Sequence, residues 1–217
     1  MKLIKALKKL KAIPFTHSNL LAILKDYKNP DDKIKQMIKK GEIVRLKRGL
    51  YVVSDVYTDM LPSVELLASL LYGPSYISMD YALSFYGLIP ERVHEVTSIT
   101  TKQVKSYTTP FGRFTYIKSP ACLYSIGLAT HENPDGTFFM LASKEKALCD
   151  KLLFTKKLSI SSEKAMRQYI EEDLRIELSD LEDFDLYIIE ACIQCNYKVK
   201  LLKMLYKVIK KEQDEKC

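Results

Sequence analysis

Only a few side chains in this sequence have the types that catalysis or metal binding requires. Cys192 and Cys195 form a C-x-x-C pair, a spacing that can ligate zinc or carry redox chemistry. No second cysteine pair or nearby histidine completes a metal site, and three-residue spacing places both thiols on one helix face, as in any helix core. The pair is therefore predicted to be structural, with metal or redox chemistry as the alternative.

The other candidates for catalysis also lack their partners. None of the three histidines has a second histidine or a carboxylate at ligand spacing, and no phosphate-binding glycine loop or nucleophile motif occurs. Asp183-Phe184-Asp185 lacks the Gly-Ser partner of nucleotidyltransferases. Asp135 faintly matches a nuclease signature, but Lys144 stands where its second acid belongs. We predict that the chain is not an enzyme and uses no cofactor or metal; an enzyme with an unfamiliar site is the alternative.

Charge indicates a different chemistry, the binding of a polyanion. Residues 1–53 contain 14 lysines and arginines against 4 acidic residues, a net charge of +10, whereas the remainder carries −3. A chain with such segregated charge is typical of a nucleic-acid-binding end joined to a body with another task. An ordinary lysine-rich surface explains the composition equally well, so the choice depends on local structure.

The predicted elements of this basic end form a winged helix-turn-helix over residues 1–54. An amphipathic helix with Leu3, Ile4, Leu7 and Leu10 on one side ends near Pro14, and Thr16 or Ser18 caps a second helix. A tight turn leads to a third helix, which Asn29 and Pro30 start and Gly41 ends. Two β-rich runs around the basic turn 47–49 then predict a hairpin, the wing.

Eight side chains of the third helix and the hairpin are predicted to contact DNA. The helix face opposite the core residues Ile34 and Met37 is basic and carries Gln36, which can read adenine in a major groove. The hairpin tip can reach a phosphate backbone or the minor groove. Asp31 and Asp32 would repel phosphate unless they act only at the start of the helix, as caps that oppose the positive end of its dipole. The candidates are Lys33, Lys35, Gln36, Lys39, Lys40, Arg45, Lys47 and Arg48.

The body, residues 60–217, is predicted to be mixed α+β with a helical C-terminal region. Helices are expected at 62–72 and 78–87, strands in the runs EVTSITT, RFTYIKS, CLYSIGLAT and TFFMLAS, and further helices near 143–154, 161–174 and 184–211. An acidic segment, 171–190, precedes a basic one, 198–211. We interpret them as a helical hairpin with paired charges; an acidic face for a protein partner or extra phosphate contacts are the alternatives.

Several broad classes of protein are not expected. No window approaches the roughly 18 apolar residues of a membrane span, and lysines interrupt the apolar residues of the N-terminus, so no signal peptide is predicted. The five cysteines show no disulfide framework and are expected to be reduced. These features predict a cytoplasmic protein without membrane contact.

Three stretches resemble the AbiEi-type antitoxins of type IV toxin–antitoxin systems. MIKKGEIVRLKRGLYVV is similar to the end of their winged helix, SYISMDYALSFYGLIPE to a later segment, and LASKEKALCDKL to a helix start in which that family has Pro where Lys144 stands here. The matching residues of the first stretch are Gly41, Glu42, Ile43, Arg45, Leu46, Arg48, Gly49 and Tyr51. Those of the last are Glu145, Lys146, Ala147, Leu148 and Asp150.

The resemblance covers about residues 5–155 and implies both a function and partners. It implies a repressor that binds double-stranded DNA repeats, its operator, upstream of its own operon, with residues 60–217 as the antitoxin domain. It also implies opposition to a nucleotidyltransferase-like toxin and leaves direct contact with that toxin open. Two alternatives stay beside it: an antitoxin that acts through protein contacts without DNA, and a metal-dependent enzyme with a DNA-targeting domain.

Overall fold

The computed structural model describes the backbone of residues 2–216 and the side chains of residues 6–215. The first part of the chain runs helix, strand, helix, helix, hairpin. Its elements are α1 (Lys2–Leu10), β1 (Phe15–Thr16), α2 (His17–Ile23), α3 (Pro30–Lys39), β2 (Ile43–Lys47) and β3 (Leu50–Val53). Leu7 of α1 is buried as predicted, whereas the side chains of Leu3 and Ile4 lie outside the described residues.

Local signals set the bounds of these helices. Thr16, one of the two predicted caps, caps α2, and it does so in a reciprocal capping box with Asn19. Asn29 occupies the cap position of α3 without a side-chain cap bond, and Pro30 fills the first turn. Gly41 ends the helix region with φ +67°, a left-handed angle that favours glycine. The link from α2 to α3 spans residues 24–29, longer than the tight turn we expected.

The hairpin β2–β3 is shared between two hydrophobic clusters. With β1 it forms a three-stranded sheet in the order β1-β3-β2. Ile43, Tyr51 and Val53 pack with buried residues of α1, α2 and α3. Leu46 and Val52 instead belong to the large core of the body. The hairpin is therefore fixed from both sides, with its turn left at the surface.

The body combines helices with a six-stranded mixed sheet. Its elements are α4 (Val64–Leu71), β4 (Tyr76–Ile77), α5 (Met79–Phe85), β5 (Val96–Thr100), β6 (Lys105–Thr109), β7 (Gly112–Lys118), α6 (Ala121–Tyr124), β8 (Leu128–Glu132), β9 (Phe138–Ala142) and α7 (Lys144–Phe154). The strand order in the sheet is β6-β7-β5-β4-β9-β8, with β4–β9 and β5–β7 parallel. The sheet and the helices together confirm the α+β class. The strand expected in CLYSIGLAT is wrong in its first half, where Pro120 precedes the short helix α6.

The C-terminal region is helical, as predicted, but more broken. It comprises α8 (Glu163–Gln168), a π-helical turn (Tyr169–Asp173), a 3-10 helix (Leu178–Leu181), α9 (Leu186–Gln194) and α10 (Val199–Lys216). The single helix expected at 184–211 is wrong because Asn196 and Lys198 adopt positive φ and turn the chain. Two ion pairs join α10 to α8, one between Lys207 and Glu163 and one between Glu212 and Arg167. No helix within residues 2–216 is long and apolar enough to cross a membrane.

A buried ionic network lies where α7 meets β4. Asp150 forms an ion pair with Lys146, and both side chains are 0% exposed. Asp150 also accepts hydrogen bonds from the Tyr76 hydroxyl at 3.0 Å and the Ser78 hydroxyl at 2.7 Å. Burial raises the pKa of Asp150, while Lys146 and these donors act in the opposite direction. The two body stretches singled out in the sequence are therefore in direct contact.

Candidate nucleic-acid interface

A surface cleft of about 640 Å³ separates α3 from the hairpin tip. Three cationic side chains from different elements line it: Lys35 from α3, Arg45 from β2 and Arg48 from the hairpin turn. All three are exposed. Three successive elements thus present positive charge around one concave surface, which a polyanion requires, although the Asp31 carboxylate also lines it.

Backbone contacts hold the hairpin tip against the start of α2. The His17 amide donates a hydrogen bond to the Gly49 carbonyl over 3.0 Å. Gly49 has φ +80°, which a side chain would strain, so the short two-residue turn depends on glycine here. The His17 ring lies 6.3 Å from the Tyr51 ring between centroids, and its Nε2 is 3.3 Å from Asp31. Arg48 is consequently carried on an anchored turn.

The predicted exposed face of α3 is exposed in the structure: Lys35, Gln36, Lys39 and Lys40 all reach solvent. Lys35 forms an ion pair with Asp32 over 2.9 Å, and this hydrogen bond and charge raise the pKa of the Lys35 ammonium. Both partners are largely exposed, so the pair contributes little to stability and a phosphate can replace the carboxylate. Because its pKa is raised, the Lys35 ammonium stays positively charged at neutral pH.

Two of the predicted contacts lie apart from the cleft. At about 100° per residue, Lys33 and Lys40 lie on the flank of α3 that is turned away from Lys35. Lys33 is half-buried, and its ammonium lies 5.6 Å from the centroid of the Tyr27 ring. The candidate set around the cleft thus narrows to Lys35, Arg45 and Arg48, with Lys39 and Gln36 beside them on the exposed face.

Lys47 requires a correction. Its ammonium turns to the body and donates hydrogen bonds of 2.8 Å to the carbonyls of Leu70 and Leu71, at the end of α4. Burial and the nearby Lys105 and Lys102 lower the pKa of Lys47. The cause of the reorientation is an irregular register between Arg45 and Lys47, which changes the side-chain alternation of β2. Lys47 is a structural tie, so we remove it from the DNA-contact set.

Replacing Lys47 should change the stability of the protein and leave its binding to DNA nearly unchanged. Lys47→Met is expected to lower the free energy of unfolding by about 1 kcal/mol, because two carbonyls lose a charged donor. The salt dependence of DNA binding should stay nearly constant, since the ammonium does not face the cleft. Urea denaturation and fluorescence anisotropy with a labelled duplex measure the two quantities. A lowered salt slope at unchanged stability would return Lys47 to the contact set.

Sequence reasoning missed two cations whose charges lower the pKa of Lys47. Lys102 and Lys105 belong to the turn and edge strand after β5, more than fifty positions along the chain, and only the fold brings them to the hairpin. No spacing or motif in the sequence signals this neighbourhood.

No protein-family model matches this chain, and no curated protein matches it. The likeness to AbiEi-type antitoxins therefore rests on the three sequence stretches alone. Among residues 6–215, no three or more histidine, cysteine, aspartate or glutamate side chains are grouped to hold a metal ion. Cys192 is buried in the core of the body, as predicted. Cys195 is half-buried and has a free thiol.

Proposed function

We propose that residues 1–54 are a winged helix-turn-helix that binds duplex DNA. In this proposal α3 enters the major groove and the turn between β2 and β3 contacts the phosphate backbone beside it. The single observation that carries the proposal is the shared cleft, in which Lys35 of α3 and Arg45 and Arg48 of the hairpin present their charges together. The strong positive charge of the same segment supports it.

The biological role follows from the motif resemblance. The chain acts as a transcriptional repressor of its own toxin–antitoxin operon and as the antitoxin of a nucleotidyltransferase-like toxin, without itself being an enzyme. Residues 60–217 form the antitoxin part. Two of the stretches that resemble the family meet in this part, because Tyr76 and Ser78 of one donate hydrogen bonds to Asp150 of the other. Their contact supports the view that the two stretches form one structural feature.

The experiment is a gel shift with DNA from upstream of the chain's own gene, compared with unrelated DNA of the same length. Gln36→Ala should reduce the preference for the upstream DNA, by roughly 1–3 kcal/mol of discrimination if the amide reads a base edge. Binding to unrelated DNA should barely change, because an amide neutralises no phosphate. Equal loss on both duplexes would contradict a base-reading role for Gln36. Failure of the unaltered chain to bind any duplex would contradict the proposed function.

A further inference from the structure

The two cysteines of the C-x-x-C motif have different partners in the fold. Cys192 of α9 interacts with Cys149 of α7 inside the core, whereas Cys195, which follows the last residue of α9, meets Cys122 of α6. Side chains three apart on a helix have Cβ atoms about 5–6 Å from each other, and a disulfide needs about 3.5–4.5 Å. The motif itself is therefore too wide to close, and cysteines of separate helices are the candidates for redox chemistry.

Cys122 and Cys195 meet at the surface of the body. The Cys122 Sγ donates a hydrogen bond over 3.8 Å to the carbonyl oxygen of Cys195, a residue 73 positions further along the chain. Cys122 is exposed and Cys195 is half-buried, and both thiols are free. Burial, together with the neighbouring Cys122 thiol, raises the pKa of Cys195 to about 12. Cys195 therefore stays protonated at neutral pH, and Cys122 is the thiol that solvent reaches first.

Aromatic contacts anchor the backbone on which each of these two cysteines lies. In α6, Leu123 is buried, and the Tyr124 ring lies 5.3 Å from the Tyr76 ring between centroids. Just beyond α9, the Tyr197 ring stacks on Phe154 at 6.2 Å. Both segments are thus packed onto the same core. The two sulfur atoms are held near each other by that packing, and their proximity raises the rate at which one can attack the other.

From this geometry we infer that Cys122 and Cys195 form a reversible disulfide when a peroxide supplies the oxidising equivalents. The inference goes beyond the proposed function and uses no residue of the cleft. A bond here would join α6 to the end of α9, two segments that the chain separates by more than seventy residues. The site is a place of covalent modification in the body.

The reaction has two steps. First, the Cys122 sulfur attacks one oxygen of the peroxide and the O–O bond breaks, which leaves a sulfenic acid and one molecule of water. The Cys195 sulfur then attacks the Cys122 sulfur, so that the S–S bond forms and the S–O bond breaks. The hydroxyl group leaves with the Cys195 proton as a second water. The two thiols have given two electrons to one peroxide, and an added thiol reverses the change by exchange.

The buried pair provides an internal comparison. Cys149 and Cys192 also lie together, but both are 0% exposed. Oxidation of a thiol depends on access to the oxidant as well as on thiolate character. Peroxide should therefore leave these two thiols reduced in the folded protein, although they belong to the same cluster of cysteines.

The experiment uses the full chain with Cys217→Ser, so that four of the five thiols remain. Hydrogen peroxide should remove two of them, as counted by thiol titration, and tandem mass spectrometry without reduction should show a link between Cys122 and Cys195. The thermal midpoint should rise by roughly 10 °C, because the bond closes a long loop of the unfolded chain. Dithiothreitol should reverse both changes.

Two variants assign the link. Cys195→Ser should abolish it, whereas the matched change Cys192→Ala should leave it intact. If Cys192→Ala does not fold, the fragment spectrum of the linked peptides in the chain that keeps Cys192 identifies the bonded sulfur. A sulfenic acid that persists on Cys122 beside a free Cys195, a covalent dimer through Cys122, a bond within the C-x-x-C motif, or no loss of thiols would each overturn the inference.

Discussion

Asp150→Ala is expected to lower the free energy of unfolding by about 3–5 kcal/mol, because the Lys146 ammonium stays buried without its carboxylate. The Tyr76 and Ser78 hydroxyls lose their acceptor at the same time. A loss of this size is a large part of the about 5–15 kcal/mol that stabilises a typical domain. Urea denaturation followed by circular dichroism measures it.

Two controls test the cause of that loss. Lys146→Met combined with Asp150→Leu removes both charges and should cost less than Asp150→Ala alone, since no isolated charge remains buried. Lys207→Ala breaks an ion pair with Glu163 in which both side chains are more than half exposed, and should cost less than about 1 kcal/mol. A double variant less stable than Asp150→Ala would contradict the assignment of the loss to an unpaired charge.

The second large effect is expected at the cleft. Lys35→Ala combined with Arg48→Ala should reduce the slope of log K against log salt by about 1.8, because two phosphate contacts disappear. Each single variant should account for about half of the change. Fluorescence anisotropy across a salt series measures the slope, and the free energy of unfolding should stay near that of the unaltered chain, since both side chains are exposed.

The matched control for this pair is Lys164, an exposed lysine of α8 whose replacement by alanine removes the same charge. If Lys164→Ala lowered the slope as much as either cleft variant, the effect would come from overall charge and not from contacts. If only one cleft variant acted, α3 and the hairpin would not bind the duplex together.

Much of the basic end could be predicted from sequence because its signals are local. Thr16 caps its own helix, Gly41 ends the next, and Gly49 marks the hairpin turn. The direction of Lys47 could not be predicted. It depends on an irregular strand register and on acceptor carbonyls that α4 supplies more than twenty residues later. Periodicity assigns a face of an isolated element, whereas tertiary contacts decide which neighbour meets it.

The body shows the same limit. Strand β6 was not predicted, because four of its five side chains are not apolar. It forms through antiparallel pairing with β7, which a local pattern does not show. The apolar run at α6 resembles a strand in composition, and only the chain path after Pro120 makes it helical. The residues of the buried network lie in two of the stretches that the sequence analysis singled out, residues 75–91 and 141–152. Their contact, between Ser78 and Asp150, depends on the fold.

In the proposed function α3 and the hairpin turn present one surface to a duplex, and a backbone amide NMR titration can follow both elements at once. With upstream DNA added stepwise, shift changes should appear together in residues 35–39 and 45–49 and saturate at the same DNA concentration. Changes confined to α9 and α10, or to only one of the two predicted regions, would contradict the claim.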